Sequence, residues 1–522
     1  MRERGERPCP ANVLLVNPSF ELGRHRSRDN YVFPFGLAYV AARAEHLGHR
    51  VEVWDIHASQ ADFPDVLEEA KRRDFSKYDV IGFTGIVSQY LYVKKLCEVI
   101  RPRTGALLVL GGPLASYSWE VVLKHTDVDA CVIGEGEETF AELLAKGDPE
   151  RVAGLAYRDP SGSLHKNADR PLMQDLDFFP AFHLFDVEFY ATHGGMMDVL
   201  RPYFKGKRVM ALTTTRGCPY NCKFCSKSVR GVRTKSIEFL DEEIAFYKEK
   251  LGVEAIHFVD ELVFINKKRF FELCRLMQRH GLPWDCQGRI NLVDERSLRA
   301  MLAAGGACIG FGIESGSQKI LDAMDKRVRR PDVARVLREC VKLGLPVKIQ
   351  LIFGYPGEDQ DTLNDTVALF REVMLPGRRL GVITPLPGSR LYDEAKADGF
   401  LGDGPGAISE VDYLEFLSRS GGWVTPDLFY NRTAFSDREF WEALRRTEAR
   451  LINGFLFTLL RHPLHMAGRA RLYWLYLQNW LRYKEHLWLF RVPRVLLQVL
   501  THPRSLGKYL RKLRAILGTF RR

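Results

Sequence analysis

The sequence predicts an α/β protein: a doubly wound parallel sheet, then a partial (β/α)6 barrel, then a helical C-terminal region. Three observations predict it. Short Val/Ile/Leu-rich runs alternate with helical patterns through the first 145 residues, as in a parallel sheet covered on both faces. From residue 208 a second strand–helix alternation begins and supplies six candidate strands, the pattern of a partial barrel. Residues 451–522 break the alternation and turn apolar, aromatic and basic.

In order, the expected domains are 10–148, a connector at 149–205, the barrel at 206–400 and the C-terminal region at 401–522. Strands of the first domain are predicted at 12–17, 50–55, 80–84, 106–110 and 130–133, with a helix at 36–47 closed by Gly48. The connector is rich in Pro, Asp and aromatics, with a short strand at 154–158 and a turn at 159–162. Barrel strands are predicted at 209–214, 255–259, 284–287, 309–313, 347–353 and 381–385.

Composition narrows the class. Apolar residues make up 46% of the 522 and charged residues 27%, which is globular. Of the ten cysteines only Cys218, Cys222 and Cys225 cluster; the others are scattered singly, against a secreted disulfide framework and for a reducing cytoplasm. The first ten residues are charged and lack the apolar core of a signal peptide. No run of 18 uncharged apolar residues suggests a membrane span. The net charge is +11, yet 451–522 carries fourteen Lys/Arg against Glu485, so the other 450 residues sum to −2.

Two strand ends carry unusual residues. The fourth strand runs into Gly111-Gly112-Pro113 and the fifth into Gly134-Glu135-Gly136-Glu137. Each alone reads as a tight turn. In succession, at the carboxyl ends where doubly wound sheets bind ligands, they read as a cradle for a flat molecule.

Cys218-x-x-x-Cys222-x-x-Cys225 follows the first barrel strand. Three thiolates so spaced can hold three irons of a cubane and leave the fourth open to a chelating ligand. Zinc normally takes four Cys or His ligands, and no nearby pair completes such a set.

This motif resembles the signature of the radical S-adenosylmethionine (SAM) superfamily. The resemblance implies that the open iron binds the amino and carboxylate groups of SAM, whose reductive cleavage yields a 5′-deoxyadenosyl radical. It implies further SAM contacts in segments that match in order. Phe224 lies within the cysteine motif. Asp260 and Glu261 end His257-Phe-Val-Asp-Glu, and Arg289 ends Gln287-Gly-Arg. Glu314 and Ser315 belong to Gly310-Phe-Gly-Ile-Glu-Ser-Gly, and Gly354 to Ile352-Phe-Gly-Tyr-Pro-Gly-Glu. Pro385-Leu-Pro-Gly-Ser389 matches the sixth turn. Read alone, Glu314 could equally be a salt-bridge partner on the barrel rim, and Arg289 structural.

The first domain resembles the cobalamin-binding domain fused to such enzymes, through Asn17-Pro18, Pro34-Phe-Gly36-Leu-Ala38, Gly48-His-Arg-Val51 and the two glycine turns. The resemblance covers residues 10–400. It implies that the corrin lies over Gly111, Gly112, Pro113, Gly134, Glu135, Gly136 and Glu137, with the nucleotide tail near Thr84 and Ser88. One feature departs. The Asp-x-His-x-x-Gly that supplies a histidine to cobalt is missing after the first strand; Asp55-Ile-His57 follows the second, with Gln60 in place of the glycine. His57 therefore reads as a loop histidine, and the lower cobalt face as lacking a protein ligand.

The implied reaction is radical C-methylation of an unactivated carbon, with one SAM methylating cobalamin and a second cleaved at the cluster. The implied partners are a small-molecule or lipid substrate, since relatives of this architecture include hopanoid methylases, and an electron donor of flavodoxin or ferredoxin type. Rival readings are an oxidative cyclase acting on a tetrapyrrole, a methylthiotransferase and a cobalamin sensor without catalysis. The C-terminal segment leaves two readings open: basic amphipathic helices lying peripherally on the inner face of a membrane, or a helical cap on the barrel of a cytoplasmic protein. No recognised nucleic-acid-binding fold accompanies the charge.

Overall fold

A computed structural model describes residues 10–20, 22, 31–195, 204, 206–227, 229, 231–377, 379–461 and 469–481. The chain forms two compact units. The first comprises Met1–Gly195, Gly206–Ile256 and Thr384–Tyr430; the second comprises Met196–Lys205, His257–Ile383 and Asn431–Arg522.

The first sheet follows the predicted alternation. It runs through β1 (Asn12–Asn17), α1 (Phe35–His46), β2 (Arg50–Asp55), α2 (Ile56–Ser59), α3 (Phe63–Arg72), β3 (Val80–Thr84), α4 (Tyr90–Ile100), β4 (Leu107–Gly111), α5 (Pro113–His125), β5 (Ala130–Val132) and α6 (Glu137–Lys146). The five strands pair in parallel in the order β2-β1-β3-β4-β5. Both faces are covered: Val13, Leu14, Leu15 and Val16 of β1 are at most 1% exposed, and burying each such side chain contributes roughly 1.5–3 kcal/mol. The connector adds to this sheet. β6 (Leu155–Arg158) pairs antiparallel with β5, and β7 (Leu164–Lys166) antiparallel with β6. The helix α7 (Val187–His193) follows.

The second alternation gives β8 (Val209–Leu212), the ladder β9 (Thr215–Arg216) and β10 (Arg233–Thr234), then α8 (Ile237–Lys250), β11 (Ala255–Phe258), α9 (Lys267–His280), β12 (Trp284–Gly288), α10 (Glu295–Ala303), β13 (Gly306–Glu314), α11 (Gln318–Ala323), α12 (Arg330–Leu343), β14 (Val347–Phe353), α13 (Gln360–Val373) and β15 (Gly381–Val382). Six strands form the half-barrel sheet in the order β15-β14-β13-β12-β11-β8. Helix starts are set by side-chain caps: Ser236 on α8, Asn266 on α9, Asp294 on α10 and Asp359 on α13 each accept a backbone N–H. β15 stops after two residues, with Pro385 and Pro387, which lack a ladder donor, close behind.

Four helices complete the described chain: α14 (Arg390–Ala397), α15 (Glu410–Arg419), α16 (Asp437–Arg461) and α17 (Ala470–Leu481). In the first unit α15 packs on α4: Leu414 joins the core under the first sheet, Leu91 N–H donates to Ser418 Oγ at 3.1 Å, and Lys94 pairs with Glu415 at 3.0 Å. In the second unit Leu472, Tyr473, Leu475 and Tyr476 of α17 are buried, and Val347 N–H donates to Tyr476 Oη at 2.9 Å. This part of the aromatic segment is thus a packed cap; Trp474 stays exposed. The basic segment 505–522 lies outside the described residues. Among the described residues no helix is long and apolar enough to cross a membrane.

Candidate active site

The cysteine loop hangs from the β9–β10 ladder, where Thr215 pairs with Thr234 and Arg216 with Arg233. Gly217 has φ +87°, and a Cβ there would overlap the Gly231 carbonyl, so only glycine lets the loop leave the ladder. Cys218 and Cys222 are half-buried and Cys225 is exposed. Cys225 N–H donates to Cys222 O at 3.2 Å, and Phe224 is half-buried between them. The loop is held from outside by Leu391 N–H on Lys223 O at 2.9 Å and Ser226 Oγ on Pro387 O at 2.6 Å. Cys97, Cys131, Cys274, Cys286, Cys308 and Cys340 are all buried. Burial pushes the thiols of Cys97, Cys131, Cys274, Cys286 and Cys340 away from the thiolate, Cys274 up to about 12. Among the described residues no three His, Cys, Asp or Glu side chains stand in a metal-holding group. Cys218, Cys222 and Cys225 are not gathered into such a group either, but they share one loop and are the cysteines among the described residues that are not buried.

In the same unit the order β2-β1-β3 places a topological switch point between β1 and β3, where open α/β sheets bind ligands. Its floor is glycine: Gly85, Gly111 and Gly112 end β3 and β4, and Gly134 and Gly136 follow β5. Gly112 has φ +85°, and a Cβ would sit 2.7 Å from Gly85 O. Gly134 has φ +79° with open space where its Cβ would be. Phe20 after β1 and Ile86 after β3 are 41% and 42% exposed, an apolar rim missed by reading strand ends for glycine and hydroxyl alone. Ser88 is buried, and a Cβ on Gly422 would lie 3.4 Å from it. Thr84 ends β3, and Pro113 opens α5 at a position that needs no N–H. Flat backbone with apolar edges fits a planar macrocycle.

The carboxylates of the second glycine turn are otherwise engaged. Glu135 pairs with Arg216 at 3.1 Å and Arg233 at 2.7 Å, and Glu137 with Arg216 at 2.7 Å. Burial raises the Glu135 pKa, but Arg233 and Arg216 outweigh it and hold the carboxyl below its usual range. His57 is buried, with its ring 4.9 Å from that of Phe20 and 4.7 Å from that of Tyr31.

In the second unit Arg289, Glu314 with Ser315, and Gly354 stand at the carboxyl ends of β12, β13 and β14, three adjacent parallel strands. Asp260 and Glu261 follow β11; Asp260 and Arg289 are buried and Glu261 is exposed. A register shift after Gly312 re-aims Glu314, whose φ is +68°. Its carboxylate accepts from Lys326 Nζ at 2.7 Å, with both side chains buried, so the rim salt bridge exists. Ser315 Oγ accepts from Ser317 N–H at 3.2 Å. Gly354 has φ +88° and lies under Phe440, and its N–H donates to Glu358 Oε2 at 2.7 Å. Burial raises Glu358 to about 8.

Strand alternation reveals residues that motif reading missed. Ile256, Phe258, Trp284, Cys286, Val347, Ile349, Leu351 and Phe353 are buried on one face, while His257, Asp285, Gln287, Lys348 and Gln350 occupy the alternate positions. Gly310 and Gly312 of β13 put no side chain of their own between them, the Glu314 carboxylate lying where a Cβ on Gly312 would be, and His257 Nδ1 contacts the fully buried Asp285 carboxylate. The signal was the polar residue at every second strand position.

Comparison with known families decides the assignment. The Radical SAM superfamily matches residues 212–370, and the B12 binding domain matches residues 25–144. The chain joins a B12 binding domain to a radical SAM domain. That pair of domains brings a [4Fe–4S] cluster with SAM, and cobalamin. This radical SAM enzyme is 29% identical over 402 residues to an uncharacterized methyltransferase of Pyrococcus horikoshii, covering 74% of this chain and 84% of that one. It is 27% identical over 445 residues to the cytidylyl-2-hydroxyethylphosphonate methyltransferase of Streptomyces wedmorensis, covering 74% and 82%. Its fold matches that of TsrM, a radical SAM methyltransferase of Kitasatospora setae solved with cobalamin and a [4Fe–4S] cluster, with a TM-score of 0.59, 19% identity and coverage of 75% and 78%.

Proposed function

We propose that this radical SAM enzyme uses cobalamin to methylate an unactivated carbon of a polar small molecule. The observation that carries the reading is that one compact unit contains both the accessible three-thiol loop and the glycine-floored switch point. The methyltransferase relatives support methyl transfer as the outcome.

When bound, the cofactors supply a 5′-deoxyadenosyl radical that removes hydrogen and a methyl group for the carbon radical that remains. The chain's own residues bind and orient. Cys218, Cys222 and Cys225 hold three irons, with Phe224 packed in the same loop. Asp260 and Glu261 would contact the methionine part of SAM, Arg289 would contact SAM from the end of the third barrel strand, Glu314 and Ser315 would lie near the ribose, and Gly354 near the adenine. The backbone of Gly111, Gly112, Pro113, Gly134 and Gly136 floors the corrin site, Glu135 and Glu137 brace its edge, and Thr84 and Ser88 meet the nucleotide tail. No side chain is needed as acid or base in the bond-forming step.

The polar strip of His257, Asp285, Gln287, Lys348 and Gln350 favours a polar substrate over a hopanoid-like lipid. The buried α17 favours a cap over peripheral membrane contact. Electrons come from an external flavodoxin- or ferredoxin-type donor.

The test is anaerobic reconstitution with iron, sulfide and hydroxocobalamin, then assay under reduction for 5′-deoxyadenosine and S-adenosylhomocysteine with candidate small polar molecules. The proposal expects both products and a substrate mass gain of one methyl. Deoxyadenosine without S-adenosylhomocysteine, with a dehydrogenated product, would move the assignment to an oxidative cyclase.

A further inference from the structure

Arg216 and Arg233 face each other across the two-residue ladder that closes the cysteine loop. Like charges directly opposite on paired strands repel. Here they are half-buried or buried, with side chains 19% and 9% exposed, where water screens the repulsion poorly. What holds them together comes from the glycine turn after β5. Glu135 places one carboxylate oxygen on each arginine, and its Oε2 also accepts Met173 N–H at 3.0 Å. Glu137 adds a second contact to Arg216. The Arg216 guanidinium lies over the Tyr39 ring at 4.8 Å, and Tyr39 also neighbours Lys235, which is paired with the fully buried Glu243. Three carboxylates and three cations thus balance in one buried network that joins α1, the β5–α6 turn, the β9–β10 ladder and α8.

The network has a direction. Arg216 is two residues before Cys218, and Glu135 lies between the two glycines proposed to floor the corrin site. A movement of the turn shifts Glu135, and losing Glu135 leaves two facing arginines at the root of the loop.

We infer that Glu135 and Glu137 are positioning residues that couple the cobalamin site to the cluster loop, so that occupancy of either site steadies the other. The inference rests on the placement of the two cofactors proposed above. Their side chains then act through arginines, and only the backbone of the turn meets the corrin.

The test uses the full chain, reconstituted without oxygen, and reads the rate at which a ferrous chelator removes iron, with and without hydroxocobalamin. Cobalamin is expected to slow iron loss in the wild type about tenfold, within the range of ordinary coupling between sites. Glu135→Gln is expected to lose iron about tenfold faster and to keep less than about twofold protection, as the coupling is removed. Glu135→Gln combined with Arg233→Met is expected to recover slow loss, because no unbalanced cation remains; a merely packed side chain would show no such rescue. Linkage also requires that the cluster-loaded wild type bind hydroxocobalamin more tightly than the cluster-free protein, by the factor by which cobalamin stabilises the cluster at equilibrium, a titration that needs no variant. Wild type that binds both cofactors yet loses iron at one rate regardless of cobalamin would overturn the coupling and leave the proposed function standing. Wild type that binds neither would overturn both.

Discussion

The two parallel sheets are built from the same strand–helix repeat but offer ligands different surfaces. In the first, the strands β1, β3, β4 and β5 are apolar and largely buried on both faces, while the edge strand β2 exposes Arg50 and Glu52; the ends of β3, β4 and β5 run into glycine, with Phe20 and Ile86 at the edge. In the half-barrel, alternate strand positions carry His257, Asp285, Gln287, Lys348 and Gln350, and the strand ends carry buried charge at Asp260, Arg289 and Glu314. A flat apolar-edged ring suits the first surface, and charged or polar small molecules suit the second. The difference teaches that fold repeat alone does not set the ligand; the chemistry of alternate positions and of the strand ends does.

Several substitutions bear on this contrast. The largest effect is expected at the cysteine loop of the β9–β10 ladder: Cys222→Ala should abolish cluster iron and deoxyadenosine formation, read by iron content and chromatography. Cys308→Ala, in the core of β13, should keep both and lower stability by about 1 kcal/mol. Equal loss in the two variants would break the distinction between accessible and core thiols.

Next is the rim of the half-barrel. Lys326→Met leaves the Glu314 carboxylate buried without its cation and should destabilise by roughly 3–5 kcal/mol in denaturant melts. A change below about 1 kcal/mol would mean that solvent reaches the pair.

The third substitution acts on the glycine floor. Gly112→Ala imposes a side chain at φ +85° against Gly85 O. It should cost about 1–3 kcal/mol and weaken hydroxocobalamin binding at least about tenfold, measured by absorbance titration. Unchanged binding would remove Gly112 from the corrin floor.

The smallest effect depends on pH. Glu358 is raised by burial from 4.5 to about 8. The folded state therefore holds a proton that the unfolded chain gives up near 4.5, so this group's stabilisation is complete below that pH and is lost progressively up to about 8. Glu358→Gln keeps an acceptor for Gly354 N–H and removes the titration. Its melting temperature should gain on the wild type between pH 6 and pH 9, by an amount worth on the order of 1–3 kcal/mol. Parallel melting curves at both pH values would contradict the protonated carboxyl.

Much of this was legible in the sequence, for identifiable reasons. Continuous apolar runs located β1 and β3 to the residue, because strands buried on both faces tolerate few other side chains, and apolar–polar alternation located β2 and β14. The cysteine spacing marked its loop because iron chemistry is local in sequence. The glycine turns were visible for the same reason. What escaped was long-range or needed side-chain geometry. Glu135 reads as a ligand contact in the motif, and its arginine partners lie 81 and 98 residues away. The packing of Leu414 against the first sheet spans more than 300 residues and leaves no periodic trace. Glu314 sits on a bulge whose register shift cannot be read from a strand pattern. The aromatic segment in α17 has equal apolar content whether it meets lipid or protein; only the burial of Tyr473 and Tyr476 separates the two.

The central claim is that one chain holds a three-thiol cluster and a cobalamin at separate places and uses both. The most direct measurement is the iron and cobalt content of wild type, Cys222→Ala and Gly112→Ala, each reconstituted with both cofactors in excess and desalted. The account predicts a crossed but unequal result: Cys222→Ala loses its iron outright and keeps more cobalt than Gly112→Ala, Gly112→Ala loses most of its cobalt and keeps iron that it sheds faster than the wild type, and the wild type holds both. Cobalt absent from the wild type, or iron retained by Cys222→Ala, would contradict it.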